Sequence, residues 1–159
     1  MRRRAALRAT AADGARAMFI LEIRSADLAF ILRCARDGAP GEVCGLIGGR
    51  FTRGGALAET VLPVRNSAAD PLVRFNMAPA EMVRAIMSLR RTGQEVVAIY
   101  HSHPVSDPIP SPADIREATW PDVAHLIVGH AHASAPEVRA WLIRAGRAEP
   151  AALHMHIRP

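Results

Sequence analysis

Residues 95–114 read EVVAIYHSHPVSDPIPSPAD, and the fold turns on this stretch. EVVAIY is nearly all apolar and rich in β-branched residues, the pattern of a central strand buried on both faces. It runs without a break into His101-Ser102-His103-Pro104. In extended backbone, side chains two residues apart point the same way. His101 and His103 therefore present both imidazoles to one point just past the strand. Pro104, Pro108, Pro110 and Pro112 stiffen the chain that follows, and Ser111 and Asp114 stand at its end. Two neutral imidazoles and a carboxylate suit an open zinc site with a fourth position for water. The same residues have a plainer reading. An H-x-H pair can be a polar turn, and Ser111-Pro112-Ala113-Asp114 is also a capping box, with Ser at the N-cap and an acid at N3. Spacing alone leaves both readings open.

Short elements alternate on either side. Residues 18–23 form a strand pattern. Ser25 is a candidate N-cap for a helix with Leu28, Ile31, Leu32 and Ala35 on one face, stopped by Gly38 and Pro40. Residues 42–50 (EVCGLIGGR) and 56–65 (ALAETVLPVR) read as strands, joined as a hairpin through Thr52 to Gly55. A polar loop from Asn66 to Pro71 leads to a short strand, LVRFNM, at 72–77. Pro79 opens a helix lined by Met82, Ile86 and Leu89, and Gly93 closes it. Beyond the central stretch come a short helix over 111–119 and strands near 124–130, 137–144 and 151–157. This is an α/β pattern: a single-domain mixed β-sheet with flanking helices. The order of the strands does not follow from it.

Composition excludes several classes of function. The 159 residues suit one domain; half are apolar and 22% charged, as in a soluble fold. Aromatic residues are only 4%, so aliphatic side chains and Met must fill the core. There is no apolar run long enough for a transmembrane helix. All 20 basic residues are Arg, which removes Schiff-base and P-loop lysine chemistry. The net charge of +5 sits mostly in residues 1–17, where five Arg oppose one Asp; the remaining 15 Arg oppose 14 acids. A nearly neutral fold argues for no nucleic acid partner and no membrane partner. Residues 1–17 read as a disordered extension and 18–159 as the domain. Cys34 and Cys44 cannot make a secreted-type disulfide framework, and the reading is cytoplasmic.

H-S-H-P, six residues, Ser, two residues and Asp resembles the signature of the JAMM (MPN-plus) metalloprotease family. That family also carries a Glu in a run such as E-x-C-G-L, and Glu42-Val43-Cys44-Gly45-Leu46 fits. The AHLIVG strand at 124–129 is similar to that of the small prokaryotic branch. The resemblance covers roughly residues 18–144 and implies a cytidine-deaminase-like architecture. It implies that His101, His103 and Asp114 hold one Zn2+ per chain, and that Glu42 is the general acid/base. It implies that Ser111 hydrogen-bonds the oxyanion. Zinc brings the pKa of a bound water towards ~7, and a carboxylate can take its proton and deliver it to the leaving group. By the same resemblance, the substrate partner is a ubiquitin-like sulfur-carrier protein, cleaved after its C-terminal Gly-Gly. A side-chain-free tail can lie extended in a narrow channel or add to a sheet edge. The strand near 72–77 and the strand beginning at Glu42 are the candidate edges.

Other residues take plainer readings. Cys44, on the same strand face as Glu42, is a small buried hydrophobe. His154 and His156 form a second H-x-H with no carboxylate after it, on an exposed terminal strand. His125, His130 and His132 read as structural or solvent-facing, and Trp120 as core, with a wall of the substrate groove as its other reading. Ser102 has no base left to serve it as a nucleophile. Competing readings are a RadC-like protein of the same superfold, whose motif is H-N-H-P, and a metal-free scaffold, which the filled ligand positions oppose. A zinc nucleoside deaminase needs H-x-E and P-C-x-x-C, and neither is present.

Overall fold

The computed structural model describes residues 18–131 and 133–157. In chain order these form β1 (Ile20–Arg24), α1 (Ser25–Gly38), β2 (Cys44–Thr52), β3 (Gly55–Val64), α2 (Pro79–Arg91), β4 (Glu95–His103), α3 (Pro112–Glu117), β5 (Ala124–Gly129), β6 (Glu137–Arg144) and β7 (Arg147–His156). The strands pair in the order β1-β3-β2-β4-β5-β6-β7, and β7 pairs back onto β1, so the mixed sheet closes into a barrel. β1 lies parallel to both β3 and β7, and β4 parallel to β5; the other contacts are antiparallel. Closure removes the free edges an open sheet would expose.

Two apolar clusters lie on opposite faces of the wall. Leu28, Ile31 and Ala35 of α1 pack with Leu21, Ile23, Ala98, Tyr100 and Leu126. Cys44, Leu46, Val64, Met77 and Ile99 pack against Met82, Ala85 and Ile86 of α2. Successive β4 residues alternate between them: Ala98 and Tyr100 to the first, Ile99 to the second. His101 and His103 continue the face of Ile99. β4 is fully buried from Val97 to His103, as its apolar run implies.

Several boundaries differ from the sequence reading. Residues 72–77 are not a strand: Leu72 and Val73 lie in a turn, and only Met77 makes a bridge, to Asn66. The Asn66 side chain takes the place of a partner strand. Its Nδ2 donates to the Arg74 carbonyl, and its Oδ1 accepts from the Asn76 N–H, each at 2.9 Å. β2 starts at Cys44, so Glu42 lies just ahead of the strand rather than on it. Ser25 is the first helical residue, not the cap; extended Arg24 holds that position and makes no side-chain cap bond. β7 begins at Arg147, four residues before the expected start. Ala145 and Gly146, at φ 47° and 73°, form a tight hairpin turn from β6. β7 is also no terminal edge, being paired on both sides. The reading of residues 1–17 as an extension lies outside the described residues, as does that of His132.

Candidate metal centre

The end of β4 brings three ligand atoms together. His101 Nε2 and His103 Nε2 are 3.1 Å apart, and Asp114 Oδ2 lies 3.5 Å from the first and 3.4 Å from the second. Metal–nitrogen or metal–oxygen bonds of about 2.0–2.1 Å in tetrahedral array give ligand–ligand edges of about 3.3 Å. The three separations bracket that value, so this donor set fits a zinc-type ion. Both histidines are buried, and the Asp114 side chain is only 9% exposed. His103 Nδ1 lies 2.9 Å from the Asp107 carbonyl oxygen. A carbonyl can only accept, so Nδ1 carries the hydrogen and Nε2 turns its lone pair to the centre. The Phe75 ring stacks on His101 at 4.3 Å and 21°.

The loop between the histidines and Asp114 is pinned. Trp141 Nε1 donates to the Pro108 carbonyl at 2.8 Å, and His130 Nε2 meets Asp107 Oδ1 at 2.8 Å. Pro108 lies so close over Gly129 that a Cβ there would meet the Pro108 backbone nitrogen at 2.5 Å. α3 then starts with a capping box. Asp114 N–H donates to Ser111 Oγ at 3.1 Å, and Ser111 N–H donates to Asp114 Oδ2 at 2.7 Å. One carboxylate oxygen thus belongs both to the helix cap and to the cluster of donor atoms, so the cap does not exclude a ligand role. The cap uses a lone pair of Ser111 Oγ and leaves its hydrogen free to donate.

Glu42 reaches the centre through the β2–β4 register. Cys44 pairs with His101, which carries Glu42 alongside His103. Ser102 fixes the crossing. Its N–H donates to the Val43 carbonyl, and its Oγ accepts from the Val43 N–H, both at 3.0 Å. The main chain of Glu42 is held by the Pro71 carbonyl at 2.7 Å and by Asn66 Nδ2 at 2.9 Å. Gly45 of the E-x-C-G-L run has to be Gly: a Cβ would fall onto the Tyr100 ring and within 2.5 Å of the Leu62 carbonyl oxygen.

Electrostatics separate the acids. Burial pushes the Glu42 carboxyl up to about 7, with His103 opposing and Asp114 reinforcing. Burial also acts on Asp114, but His101 and His103 outweigh it and hold Asp114 well below the usual carboxylate range. Burial lowers His101. At His103 the same effect is outweighed by Asp114 and the Asp107 carbonyl, and the group is raised. Cys44 is 1% exposed, donates to the Val64 carbonyl and is pushed up to about 12 by burial, an inert thiol.

One groove reaches the ligand cluster, and Glu42 lines a second hollow that contains none of the three ligands. The first, of about 330 Å³, is lined by Asp114, Phe75, Met77, Met82, Trp120 and His125. The second, of about 380 Å³, is lined by Glu42, Cys44, Arg65, Glu81 and Tyr100. A larger hollow of about 440 Å³, at Met18, Phe51 and Leu142, touches none of these residues. Trp120 thus faces a groove as well as packing on the second cluster. His125 is buried at 4% exposure, while His130 is half-exposed. The sequence reads His125 as structural or solvent-facing and gives Phe75 no place at the site, because no motif or periodicity marks either as facing it.

The family of prokaryotic homologs of the JAB domain matches residues 26–144. A desampylase of Haloferax volcanii is 41% identical over 104 residues, 61% of this chain and 71% of that protein. A Thermus thermophilus protein named "Probable TtuB-protein conjugate cleaving protease" is 38% identical over 109 residues, 69% of this chain and 66% of its own. The CysO-cysteine peptidase of Mycobacterium tuberculosis is 26% identical over 126 residues, 79% and 84% of the two chains. A solution structure of a Desulfitobacterium hafniense protein superposes with a TM-score of 0.79 at 28% identity, covering 87% of this chain and 94% of that one. The chain belongs to the prokaryotic JAB-domain family and is a hydrolase of the JAMM type.

Proposed function

We propose that this protein is a zinc-dependent peptidase or isopeptidase that hydrolyses the linkage following the C-terminal Gly-Gly of a ubiquitin-like sulfur-carrier protein. One observation carries the reading: His101, His103 and Asp114 converge at tetrahedral spacing beside a buried Glu42. The names of the relatives support the substrate class: a desampylase, a TtuB-conjugate protease and a CysO-cysteine peptidase. Zinc held by the three ligands supplies a Lewis acid for the scissile carbonyl and eases ionisation of water near neutral pH.

The chain's own residues do the rest. Glu42, with its carboxyl raised towards neutrality, takes a proton from the attacking water and hands it to the leaving nitrogen. Ser111 donates its free hydroxyl hydrogen to the carbonyl oxygen as that oxygen gains charge. Asp114 stays ionised, and the Asp107 carbonyl keeps His103 in the right tautomer. Because Glu42 protonates the leaving group, the leaving group lies on the Glu42 side of the centre, and the acyl side, the Gly-Gly tail, lies in the groove lined by Asp114.

Neither strand edge expected to take the tail is present as a sheet edge: β2 is paired on both sides, by β3 and β4, and residues 72–77 are not a strand. Residues 74–77 still offer main-chain groups to an extended tail. Asn66 and Ser67 bind the main chain of Arg74 and Asn76 on one side, so Phe75 directs its own main-chain groups to the other. Among the described residues, no helix is long and apolar enough to cross a membrane, and we place the activity in the cytoplasm. No observation favours the RadC-like or scaffold reading. The test is mass spectrometry of carrier proteins bearing extra residues or an amino acid after Gly-Gly. Wild type should release the carrier at Gly-Gly, and Glu42→Gln should not. Intact carriers alongside ready digestion of unfolded casein would replace this reading with a general peptidase.

A further inference from the structure

β5 lies parallel to β4 with His125 paired to Ile99, which sets its imidazole on the metal-centre face, one step before His101. The side chain is 96% buried, and neither ring nitrogen has a hydrogen-bond partner. Phe75, Met77, Met82 and Ile99 of the same groove have nothing to offer it, and the groove's polar residues Asn76, Asp114, Glu117 and Thr119 make no hydrogen bond to it. Burial, with His101 nearby and Asp114 opposing, lowers the group to about 4, so the ring is neutral in the working range. A neutral imidazole carries one donor and one acceptor. That is the complement of a peptide unit, and a Gly-Gly tail has only peptide units to recognise. Unpaired buried polar groups are costly, and one that a substrate satisfies returns its cost as binding and selectivity.

We propose that His125 is a specificity-determining residue, hydrogen-bonding the main chain of the Gly-Gly tail in the groove that ends at Asp114. This rests on the peptidase reading and names the residue that selects the tail. The probe is the product-like peptide acetyl-Ala-Ala-Gly-Gly, titrated into zinc-loaded full-length protein. Tryptophan emission reports the binding, since Trp120 lines the groove. His125→Phe keeps the ring's bulk and removes both nitrogens. It should weaken peptide binding about tenfold, the scale of one hydrogen bond left unmade. Zinc content should stay at the wild-type level, and Tm should be unchanged or higher.

The same variant should raise KM for a Gly-Gly-linked carrier about tenfold with kcat within about twofold. A peptide N-methylated at the terminal glycine should bind wild type more weakly than the plain peptide, yet bind His125→Phe equally well. His125→Gln, which keeps a donor and an acceptor, should recover part of the loss and serves if the Phe variant does not fold. Equal peptide affinity in wild type and both variants would overturn the assignment while leaving carrier cleavage intact. No peptide binding by a wild type that cleaves carriers would overturn the groove assignment and His125 with it. Carriers left uncleaved by wild type would instead remove the peptidase reading itself.

Discussion

Substitution can separate the cap role of Ser111 from its proposed oxyanion role. Its Oγ accepts the Asp114 N–H at 3.1 Å as the N-cap of α3, which leaves the hydroxyl hydrogen for the proposed contact with the developing oxyanion. Replacing an N-cap Ser by Ala costs about 1 kcal/mol, whereas Gly costs only a few tenths. For a chain of 159 residues each kcal/mol is about 2–4 °C in Tm. Ser111→Ala should therefore melt about 2–4 °C lower than wild type and Ser111→Gly within about 1 °C. Both lack the hydroxyl, and removing one oxyanion donor costs about 10²–10³-fold in kcat. Ser111→Thr retains hydroxyl and cap and should keep most of both. The measurements are thermal melts and single-turnover cleavage of a Gly-Gly-linked carrier, with zinc content measured on each variant. If kcat followed Tm, falling in Ser111→Ala and staying near wild type in Ser111→Gly, Ser111 would be a cap alone and the oxyanion role would be wrong.

Purified protein should hold close to one zinc per chain. Asp114→Ala should lose most of it, and full retention in a His101/His103 double variant would sink the site. In chelator-treated protein, Glu42 has its folded pKa raised from 4.5 to about 7, so it favours folding fully below 4.5 and less as pH rises through 7. Glu42→Gln should remove that pH dependence and be the more stable apo-protein above pH 7, the difference building up between pH 4.5 and 7 and staying level beyond. Denaturant melts at pH 5 and pH 8 check the sign, and a wild-type apo-protein that gains stability over this range against Glu42→Gln would contradict it. Gly45→Ala should cost about 1–3 kcal/mol, because its Cβ meets the Tyr100 ring and the Leu62 carbonyl within a packed wall. A Gly45→Ala melt at the wild-type temperature would show that Tyr100 yields more easily than its burial implies.

The legible part of this fold was the part written in local pattern. The apolar run into His101 gave β4, the i, i+2 spacing put both imidazoles on one face, and Ser111 to Asp114 was a cap whatever else it was. The seven-strand closure left no local trace, because β1 pairing with β3 and β7 joins segments more than 100 residues apart in part. Residues 72–77 misled for a related reason. Val73 and Phe75 carry strand propensity, but propensity expresses fit to a pleated neighbour, and here the neighbour is the Asn66 side chain. His125 was invisible because a single His on an apolar strand reads as core; its meaning comes from a groove made by α2, α3 and the 74–77 segment.

The two readings left open for Ser111 and Asp114 are compatible in one arrangement. α3 has only six residues and buries none of them, too few for a helix to hold itself in water. What holds it are the reciprocal bonds between Ser111 and Asp114 and the two histidines facing Asp114 Oδ2. The oxygen that would bind zinc is the oxygen that caps the helix. A cation held there would neutralise the Asp114 carboxylate and so strengthen the anchor of α3 as it completes the site. Metal loading would therefore be linked to the order of α3. Because Ala118, Thr119 and Trp120 at its C-terminal end line the Asp114 groove, the same linkage would reach the surface proposed to receive the tail.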